Sequence, residues 1–454
     1  MEREFDTIPI PKLVLRLGLP AMLAQFFNIL YSVVDRIFVG HITPHGTLAL
    51  AAVGLCAPAL TAVTAFATLI GIGGASVLSI SMGRRDRATA QHAINNSFCL
   101  LLGTSLALTV LLLAVQRPLL YLLGSSDAIY PYAAAYFQTY VLGTVAALTG
   151  VGMNQFLLAQ GLARQGMLSV LLGAGVNTVL DPLFIFGLDM GVRGAALATV
   201  LAQVCVLAYV LSVLLRGKAP LSIRWERLHR KTVQTILSIG CLPFFIILLD
   251  NLLIMLLNSA LRRYGGDLGD ALLSCGAVVQ SFMVLAYYPA QGITTGCGTL
   301  YGYHYGAGHY RKVMQVFRWV FCLCAVFLTL LCIASQTIPT TFAALFTQDD
   351  SLVPLAASCI RKYAAGLLGV AVQYAFVDGL TAMGQMRAAL PISFFRKGLY
   401  VLCVLVLPHL RPIQDVFWSA AISDLVGACV TLLVFGLVIA PRLKREMTAE
   451  GACP

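Results

Sequence analysis

Residues 176–187 read Val-Asn-Thr-Val-Leu-Asp-Pro-Leu-Phe-Ile-Phe-Gly and lie inside a long apolar segment. Asn177 and Asp181 stand four residues apart, so a helix of about 3.6 residues per turn places both on one face. A carboxylate at membrane depth costs several kcal/mol unless it is paired, protonated or bound to a cation. We therefore interpret Asp181 as a functional residue; the alternative is an acid at a helix end that reaches water beside Pro182.

The composition of the whole chain indicates a polytopic, all-α membrane protein. Hydrophobic residues make up 59% of the 454 positions and charged residues only 11%, whereas an ordinary soluble domain has about 25% charged residues. The thirteen cysteines are scattered singly, so we expect small buried apolar side chains rather than disulfides or a metal site.

The apolar stretches predict twelve transmembrane helices, because each is long enough for the roughly 20 residues that a span requires. The predicted spans lie near 14–38, 49–80, 92–114, 131–159, 166–187 and 194–215, then near 236–261, 271–302, 315–335, 354–383, 388–408 and 414–440. The predicted organisation is a six-helix lobe at 1–215, a basic cytoplasmic connector at 216–235, a second six-helix lobe at 236–440 and a cytoplasmic tail at 441–454.

Basic residues gather in alternate loops, at 84–87, 216–231, 311–312 and 442–445. The positive-inside rule predicts that these loops are cytoplasmic, and it accounts for the net charge of +11 without a nucleic-acid partner. Both termini are then cytoplasmic, as an even number of spans requires. The start of the chain is acidic and polar, so we expect no cleaved signal peptide.

The two halves of the chain are a duplication. Leu19-Pro20 matches Leu242-Pro243, a shift in numbering of 243 − 20 = 223, and Gly83 matches Gly306 at the same shift. Each half holds six predicted spans and therefore starts from the same side of the membrane. The sequence predicts parallel repeats, related by a pseudo-twofold axis along the membrane normal, with a cavity between them.

The duplication also shows where the halves differ. Three polar residues of the first half have different counterparts at the shift of 223. Asp35 corresponds to Asn258, Asn177 to Tyr400 and Asp181 to Val404. Side chains needed only for the fold tend to recur in both copies, so the difference favours a function for the first set.

Neutral oxygen groups accompany the two acids of the first half. Asn154 lies on the fourth span and Thr199 on the sixth. Two carboxylates with amide and hydroxyl oxygens suit either a hard monovalent cation, which would be Na⁺, or a proton shared by the acids. The residues alone leave both possibilities open.

A second polar set lies at substrate-cavity positions: Asn28 on the first span, and Asp250, Tyr287, Asp378 and Arg396 in the second half. Lys397 adjoins this set, and Asp424 lies near the predicted membrane interface. For Asp250 and Asp378 two interpretations stay open, ion pairing with Arg396 and Lys397 or contact with a substrate.

No enzyme motif competes with transport. The chain has no H-E-x-x-H, no nucleophile elbow and no Gly-rich phosphate loop, and its seven histidines are expected mostly in loops. We predict a protein that is not an enzyme and has no cofactor apart from a coupling ion.

Several motifs of the chain resemble those of a known family, multidrug and toxic compound extrusion. The resemblance rests on Val34-Asp35-Arg36-Ile37-Phe38-Val39-Gly40, the stretch 153–161, Asn177-xxx-Asp181-Pro182 and the stretch 194–199. It implies two bundles forming a V around a central cavity. It also implies a cluster that binds the coupling ion, Na⁺ or H⁺, and that consists of Asp35, Asn154, Asn177, Asp181 and Thr199.

The resemblance further implies export of cationic, amphipathic drugs by a monomer in a bacterial plasma membrane, in exchange for Na⁺ or H⁺. A first alternative is a lipid-linked oligosaccharide flippase of the same superfamily, which needs several bases in its cavity; only Arg396 and Lys397 qualify. A second is a membrane enzyme or non-transporting receptor, for which clustered reactive groups or a large external domain are missing.

Overall fold

The structure is a computed structural model that describes residues 2–42, 46–216, 219–345, 352–443 and 445. Over these residues the chain is helical, with short turns and no β-strand. An apolar chain that crosses a bilayer must satisfy its backbone hydrogen bonds within each segment, and helices do so. The predicted fold class is confirmed. The four-region organisation stays a prediction; residues 217–218, 444 and 446–454 of its connector and tail lie outside the described residues.

The first half begins with a short helix and continues with long ones. Its helices are α1 Glu2–Thr7, α2 Ile10–Gly40, α3 Gly46–Gly83, α4 Arg87–Ala114, α5 Gln116–Leu122, α6 Tyr130–Leu142, α7 Thr144–Ala159, α8 Ala163–Pro182 and α9 Gly191–Leu215.

The second half repeats this order. Its helices are α10 Arg230–Tyr264, α11 Gly269–Gly306, α12 Tyr310–Thr337, α13 Pro339–Ala344, α14 Leu352–Ala364, α15 Leu367–Gln373, α16 Gly379–Ala382, α17 Met386–Leu410 and α18 Trp418–Val434. Three π-helical turns, at Leu183–Gly187, Tyr374–Asp378 and Phe435–Ile439, follow α8, α15 and α18.

The described helices bear out the predicted number of spans. Eleven are long and apolar enough to cross a membrane, and α6 with α7, bent by 53°, makes a twelfth if the pair is one span. The bounds differ from the predicted ones by only a few residues: the span predicted at 92–114 is observed as Arg87–Ala114. The short helices α5 and α13 were not predicted.

The shift of 223 recurs in the helix bounds themselves. α3 begins at Gly46 and α11 at Gly269, and 269 − 46 = 223; their ends, Gly83 and Gly306, differ by the same number. The first residues of the unpredicted α5 and α13 also differ by this shift, since 339 − 116 = 223. The duplication therefore extends to segments that hydropathy alone does not reveal.

The chain divides into two compact units whose bounds differ from a simple halving. Unit 1 comprises Met1–Glu4 and Leu23–Ile247, and unit 2 comprises Phe5–Met22 and Leu248–Pro454. The division falls inside α1, inside α2 and inside α10. Each of these three helices therefore contributes one part to each unit.

Within unit 1, the segment before α10 is held by polar side chains of the first half. Asn95 Oδ1 accepts a hydrogen bond from the backbone N–H of Arg224 at 2.8 Å, and Gln160 Oε1 accepts one from Leu221 at 2.7 Å. Residues 222–229 are irregular rather than helical, so these side chains satisfy backbone groups that a helix would otherwise pair.

Within unit 2, α2 packs directly against α11. A Cβ atom added to Gly296 would lie only 2.6 Å from the carbonyl oxygen of Leu17, so the close approach of the two backbones requires glycine. One residue further along α11, the thiol of Cys297 donates to the carbonyl oxygen of Val14 at 3.7 Å. Residues 5–22 are thus a packed component of unit 2.

The turn between α3 and α4 contains a strained residue. Arg85 has φ +59°, whereas its counterpart at the shift of 223, Gly308, has φ +76°. A left-handed conformation costs a residue with a Cβ atom about 1–2 kcal/mol, and glycine avoids this cost. Glycine also has greater conformational freedom in the unfolded chain, which offsets part of the gain.

We expect Arg85→Gly to raise the free energy of unfolding by roughly 0.5–1 kcal/mol, the difference between these two effects. Thermal unfolding in detergent would measure it. The matched control is Arg84→Gly, since Arg84 is an exposed neighbour outside the positive-φ set, and we expect it to be neutral or destabilising. Equal effects of the two substitutions would contradict the explanation.

Candidate ion-binding site

Two acids of unit 1 meet inside the helix bundle. Asp35 is half-buried on α2, and Asp181, near the end of α8, is 0% exposed. The two carboxyl groups lie within electrostatic range of each other. Two ionised carboxylates at close range repel each other, so a proton or a cation bound between them would stabilise the pair. The structure thus brings together the two acids that the sequence singled out.

The amide of Asn177 connects this pair to α9. Its Nδ2 donates to Asp181 Oδ1 at 3.2 Å and to Thr199 Oγ1 at 3.4 Å. Thr199 Oγ1 in turn donates to the carbonyl of Ala195 at 3.0 Å. The spacing of four residues places Asn177 and Asp181 on one helix face as predicted, and α9 supplies the hydroxyl.

Some acceptor atoms of this cluster are not used. Asn177 Oδ1 is buried and receives no hydrogen bond among the described residues, and Asp181 Oδ2 receives none from an amide or hydroxyl group there. A buried acceptor left unsatisfied costs about 1–3 kcal/mol. These oxygens can therefore bind a cation, or a proton can neutralise the acid.

Aromatic side chains surround the acids. Tyr31 lies within electrostatic range of both Asp35 and Asp181, and Tyr136 and Tyr140 lie within range of Asp35. Gln203 Nε2 donates to Tyr140 Oη at 3.1 Å. Tyr31 was not assigned to this site from the sequence, and the other three residues were missed, because their proximity to Asp35 depends on helix packing and no local spacing shows it.

Asn154 makes its described hydrogen bond elsewhere. Its Oδ1 accepts from Ser169 Oγ at 3.2 Å, which links α7 to α8 near the start of α8. Asp181 lies three turns further along α8. The membership of Asn154 in the cation cluster therefore stays a prediction, while Asn177, Asp181 and Thr199 form one hydrogen-bonded network with Asp35 close to Asp181.

Unit 2 contains a separate set of buried charges on α17. Arg396 donates through Nη1 to Asp424 at 2.7 Å, and the side chain of Asp424 is only 4% exposed. Lys397 pairs with Asp250, whose side chain is 49% exposed. Asp378, at the end of a π-helical turn, accepts a hydrogen bond from Thr294 at 2.6 Å. Asp250 thus has a basic partner, and Arg396 binds Asp424 instead of Asp378.

Tyr287 and Asn28, the two other residues predicted to line a substrate cavity, lie on α11 and α2. Tyr287 stacks edge-on against Tyr374, with ring centroids 6.4 Å apart. Asn28 is half-buried on α2. Their contact with a substrate stays a prediction.

The chain matches one family model and is similar to known proteins over nearly its whole length. A family model described as MatE matches residues 20–183 and 247–406. The multidrug export protein MepA of Staphylococcus aureus (strain N315) is 24% identical over 440 residues, 96% of this chain and 95% of its own. The MepA of Staphylococcus haemolyticus (strain JCSC1435) is 25% identical over 455 residues, 99% of this chain and 97% of its own.

Solved structures show the same fold. An outward-facing multidrug resistance MATE family transporter of the MOP superfamily gives a TM-score of 0.90 at 23% identity, covering 97% of this chain and 98% of its own. At this identity the similarity concerns the fold.

Proposed function

The chain belongs to the MatE family, as its motifs predicted, and from that premise we propose that it is a secondary active multidrug exporter. It exports cationic, amphipathic compounds in exchange for Na⁺ or H⁺. The relatives named as multidrug export proteins support the efflux activity. The coupling ion and the substrate class rest on the chemistry of the two units.

The observation that carries the proposal is the close approach of Asp35 and Asp181, the second of which is fully buried. Such a pair has two kinds of state, one in which both acids are ionised and one in which a proton or a cation is bound. Because the site is buried, the state with both acids ionised has a higher free energy than the state with a bound proton or cation. Such a pair is a site at which ion binding can change the preferred conformation.

The charged side chains around Arg396 in unit 2 favour a cationic substrate. Two bases, Arg396 and Lys397, face three carboxyl groups, Asp250, Asp378 and Asp424, within electrostatic range of one another. If all are ionised, one negative charge is left over. A flippase for polyanionic head groups would need unbalanced positive charge, and both bases on which that alternative depends are paired.

The proposed cycle couples the two ligands through unit 1. A proton or Na⁺ binds between Asp35 and Asp181, which lowers the repulsion between the two acids and lets α2 repack. Drug affinity then falls and the drug leaves; release of the ion to the other side resets the site. A coupling free energy of about 1–3 kcal/mol between ion and drug suffices for useful exchange.

We further propose that the protein acts as a monomer in the plasma membrane of a bacterium, with both termini cytoplasmic. The multiple apolar spans require a membrane. The orientation follows from the basic loops by the positive-inside rule.

The test is ethidium transport by the purified chain in proteoliposomes. We impose a gradient of H⁺ or of Na⁺ at zero membrane potential and expect one of the two to drive ethidium against its own gradient. The ion whose gradient drives this transport is the coupling ion. A matched preparation with Asp35→Asn should lose this driven transport, because an amide cannot ionise. Undiminished ion coupling in that variant would contradict the proposed site.

The same assay distinguishes the alternatives. If neither gradient moves ethidium, norfloxacin or any other cationic dye, while a fluorescent lipid-linked oligosaccharide changes leaflets, the flippase is favoured. No movement of either class would indicate a protein that does not transport.

A further inference from the structure

The turn that ends α11 brings two histidines together. The backbone N–H of His309 donates to the carbonyl of His304 at 2.9 Å, and Gly308 adopts φ +76°. This is the Schellman arrangement, in which the residues at these two positions normally make an apolar contact. Here both positions carry imidazoles, whose ring centroids lie 6.0 Å apart. His304 lies in a helix and not in a loop.

An acid from α1 completes the group. Asp6, like His304 and His309, belongs to unit 2. Tyr303 Oη donates to Asp6 Oδ2 at 3.3 Å, which fixes the carboxylate. The other oxygen, Asp6 Oδ1, lies 3.7 Å from His309 Nδ1. One possible ligand atom from each of the three residues lies within 4.8 Å of the other two.

The buried histidine of this group has no hydrogen-bond partner within the described part of the chain. His304 is 0% exposed, and neither of its ring nitrogens makes a hydrogen bond among the described residues. A neutral imidazole has one donor and one acceptor nitrogen, and leaving such groups unsatisfied in a protein interior costs about 1–3 kcal/mol each. A ligand bound at the acceptor nitrogen would remove part of that cost.

We propose that Asp6, His304 and His309 bind a divalent transition-metal ion of the Zn²⁺ type. Imidazole and carboxylate groups are suitable ligands for such ions, and three protein ligands leave a fourth position for water. Metal–ligand distances of about 2.0–2.2 Å place tetrahedral ligand atoms roughly 3.4 Å apart. The 3.7 Å between Asp6 Oδ1 and His309 Nδ1 is close to that spacing.

The exposure of the ligands permits entry of an ion. The side chains of Asp6 and His309 are each 36% exposed, so the site has an open side next to the buried His304. Bound metal would fasten α1 to the end of α11. The site is separate from the acid pair of unit 1, and its occupancy can be measured without transport.

The duplication shows that the turn itself does not need histidine. In the first half the backbone N–H of Asp86 donates to the carbonyl of Ser81 at 2.9 Å, and Arg85 takes the left-handed position. At the shift of 223, Ser81 and Asp86 correspond to His304 and His309. The same turn therefore forms with other side chains, and the two imidazoles are peculiar to the second copy.

A neighbouring lysine competes with a metal ion, so its removal should strengthen metal binding. Lys312 Nζ lies 4.0 Å from Asp6 Oδ1 and donates to the backbone carbonyl of Asp6 at 2.9 Å. Its positive charge repels a cation at the site. If the three residues only form a local ion pair and a buried imidazole, removing Lys312 should not create tighter metal binding.

The experiment is a Co²⁺ titration of the purified full-length chain in detergent, after removal of any histidine tag. Co²⁺ serves as a visible-absorbing probe, and Zn²⁺ is added in competition. We expect one Co²⁺ per chain, displaced by Zn²⁺. His309→Gln and Asp6→Asn should each weaken binding by roughly tenfold or more, because even outer-shell partners are worth about 10–100-fold. Lys312→Met should tighten it.

The matched control is His409→Gln, since His409 is an exposed histidine elsewhere in unit 2; it should bind Co²⁺ as the parent chain does. Zn²⁺ should raise the melting temperature of the parent and of the control but not of the ligand variants. His304→Gln tests the buried ligand; if it does not fold, the two partly exposed ligands decide. No saturable Co²⁺ binding, or equal binding by the parent and His309→Gln, would overturn the proposal.

Discussion

Asp181→Asn is expected to reduce ion-driven drug export strongly while leaving the protein folded. Asn has nearly the shape of Asp and still accepts the hydrogen bond from Asn177, which is 3.2 Å long, but it does not ionise. The variant therefore lacks the ionised state of residue 181, so binding of the ion no longer changes the charge at this position. We expect the ion-driven rate to fall by roughly 5–150-fold, the range that a coupling free energy of about 1–3 kcal/mol represents.

Drug uptake against a gradient in proteoliposomes measures this loss. The matched control is Asp189→Asn, because Asp189 is an exposed acid of the same unit whose φ of +52° asparagine also tolerates. The control should transport at the parental rate. If Asp181→Asn retains full ion-driven transport, or if both variants lose it equally, the acid pair is not the coupling site.

Arg396→Met is expected to have the second large effect, on stability. It removes the partner of Asp424, whose side chain is 4% exposed. Breaking one side of a buried ion pair costs about 3–5 kcal/mol, because the remaining charge is buried without compensation. Unfolding of the purified protein by heat or denaturant in a fixed detergent would show this loss.

A double variant separates the lost charge from the lost packing. Arg396→Met with Asp424→Leu removes both charges and should recover most of the stability, since apolar replacement of a buried pair is often neutral or favourable. Arg411→Met, an exposed position that follows α17, should change the stability by less than about 0.5 kcal/mol. A double variant that is no more stable than Arg396→Met alone would refute the explanation.

The span bounds could be predicted from the sequence because the bilayer imposes one condition on every segment. A helix that crosses must be apolar over its whole length, and that property is local. The short helices α5 and α13 carry no such signal: each is seven residues or fewer. Only the duplication, compared position by position, shows that they are one element present twice.

The functional site was predictable where its contacts are local. Asn177 and Asp181 meet because they are four residues apart on one helix. The contact of Asp35 with Asp181 joins two helices far apart in sequence, and it was expected only from the asymmetry between the halves and from the family resemblance. The partner of Arg396 depends on how α17 and α18 are rotated, so the sequence did not identify Asp424 for that role.

Residues 5–22 belong to unit 2 although they are synthesised long before the rest of that unit, and this fixes an order of events during biosynthesis. Leu17 packs against Gly296, and their separation in residue number is 296 − 17 = 279. At about 5–20 residues per second, the ribosome needs roughly 14–56 s to make that length. For this interval the amino-terminal half of the first span lacks its final partner, so the nascent chain must hold it in lipid or against temporary neighbours until α11 arrives.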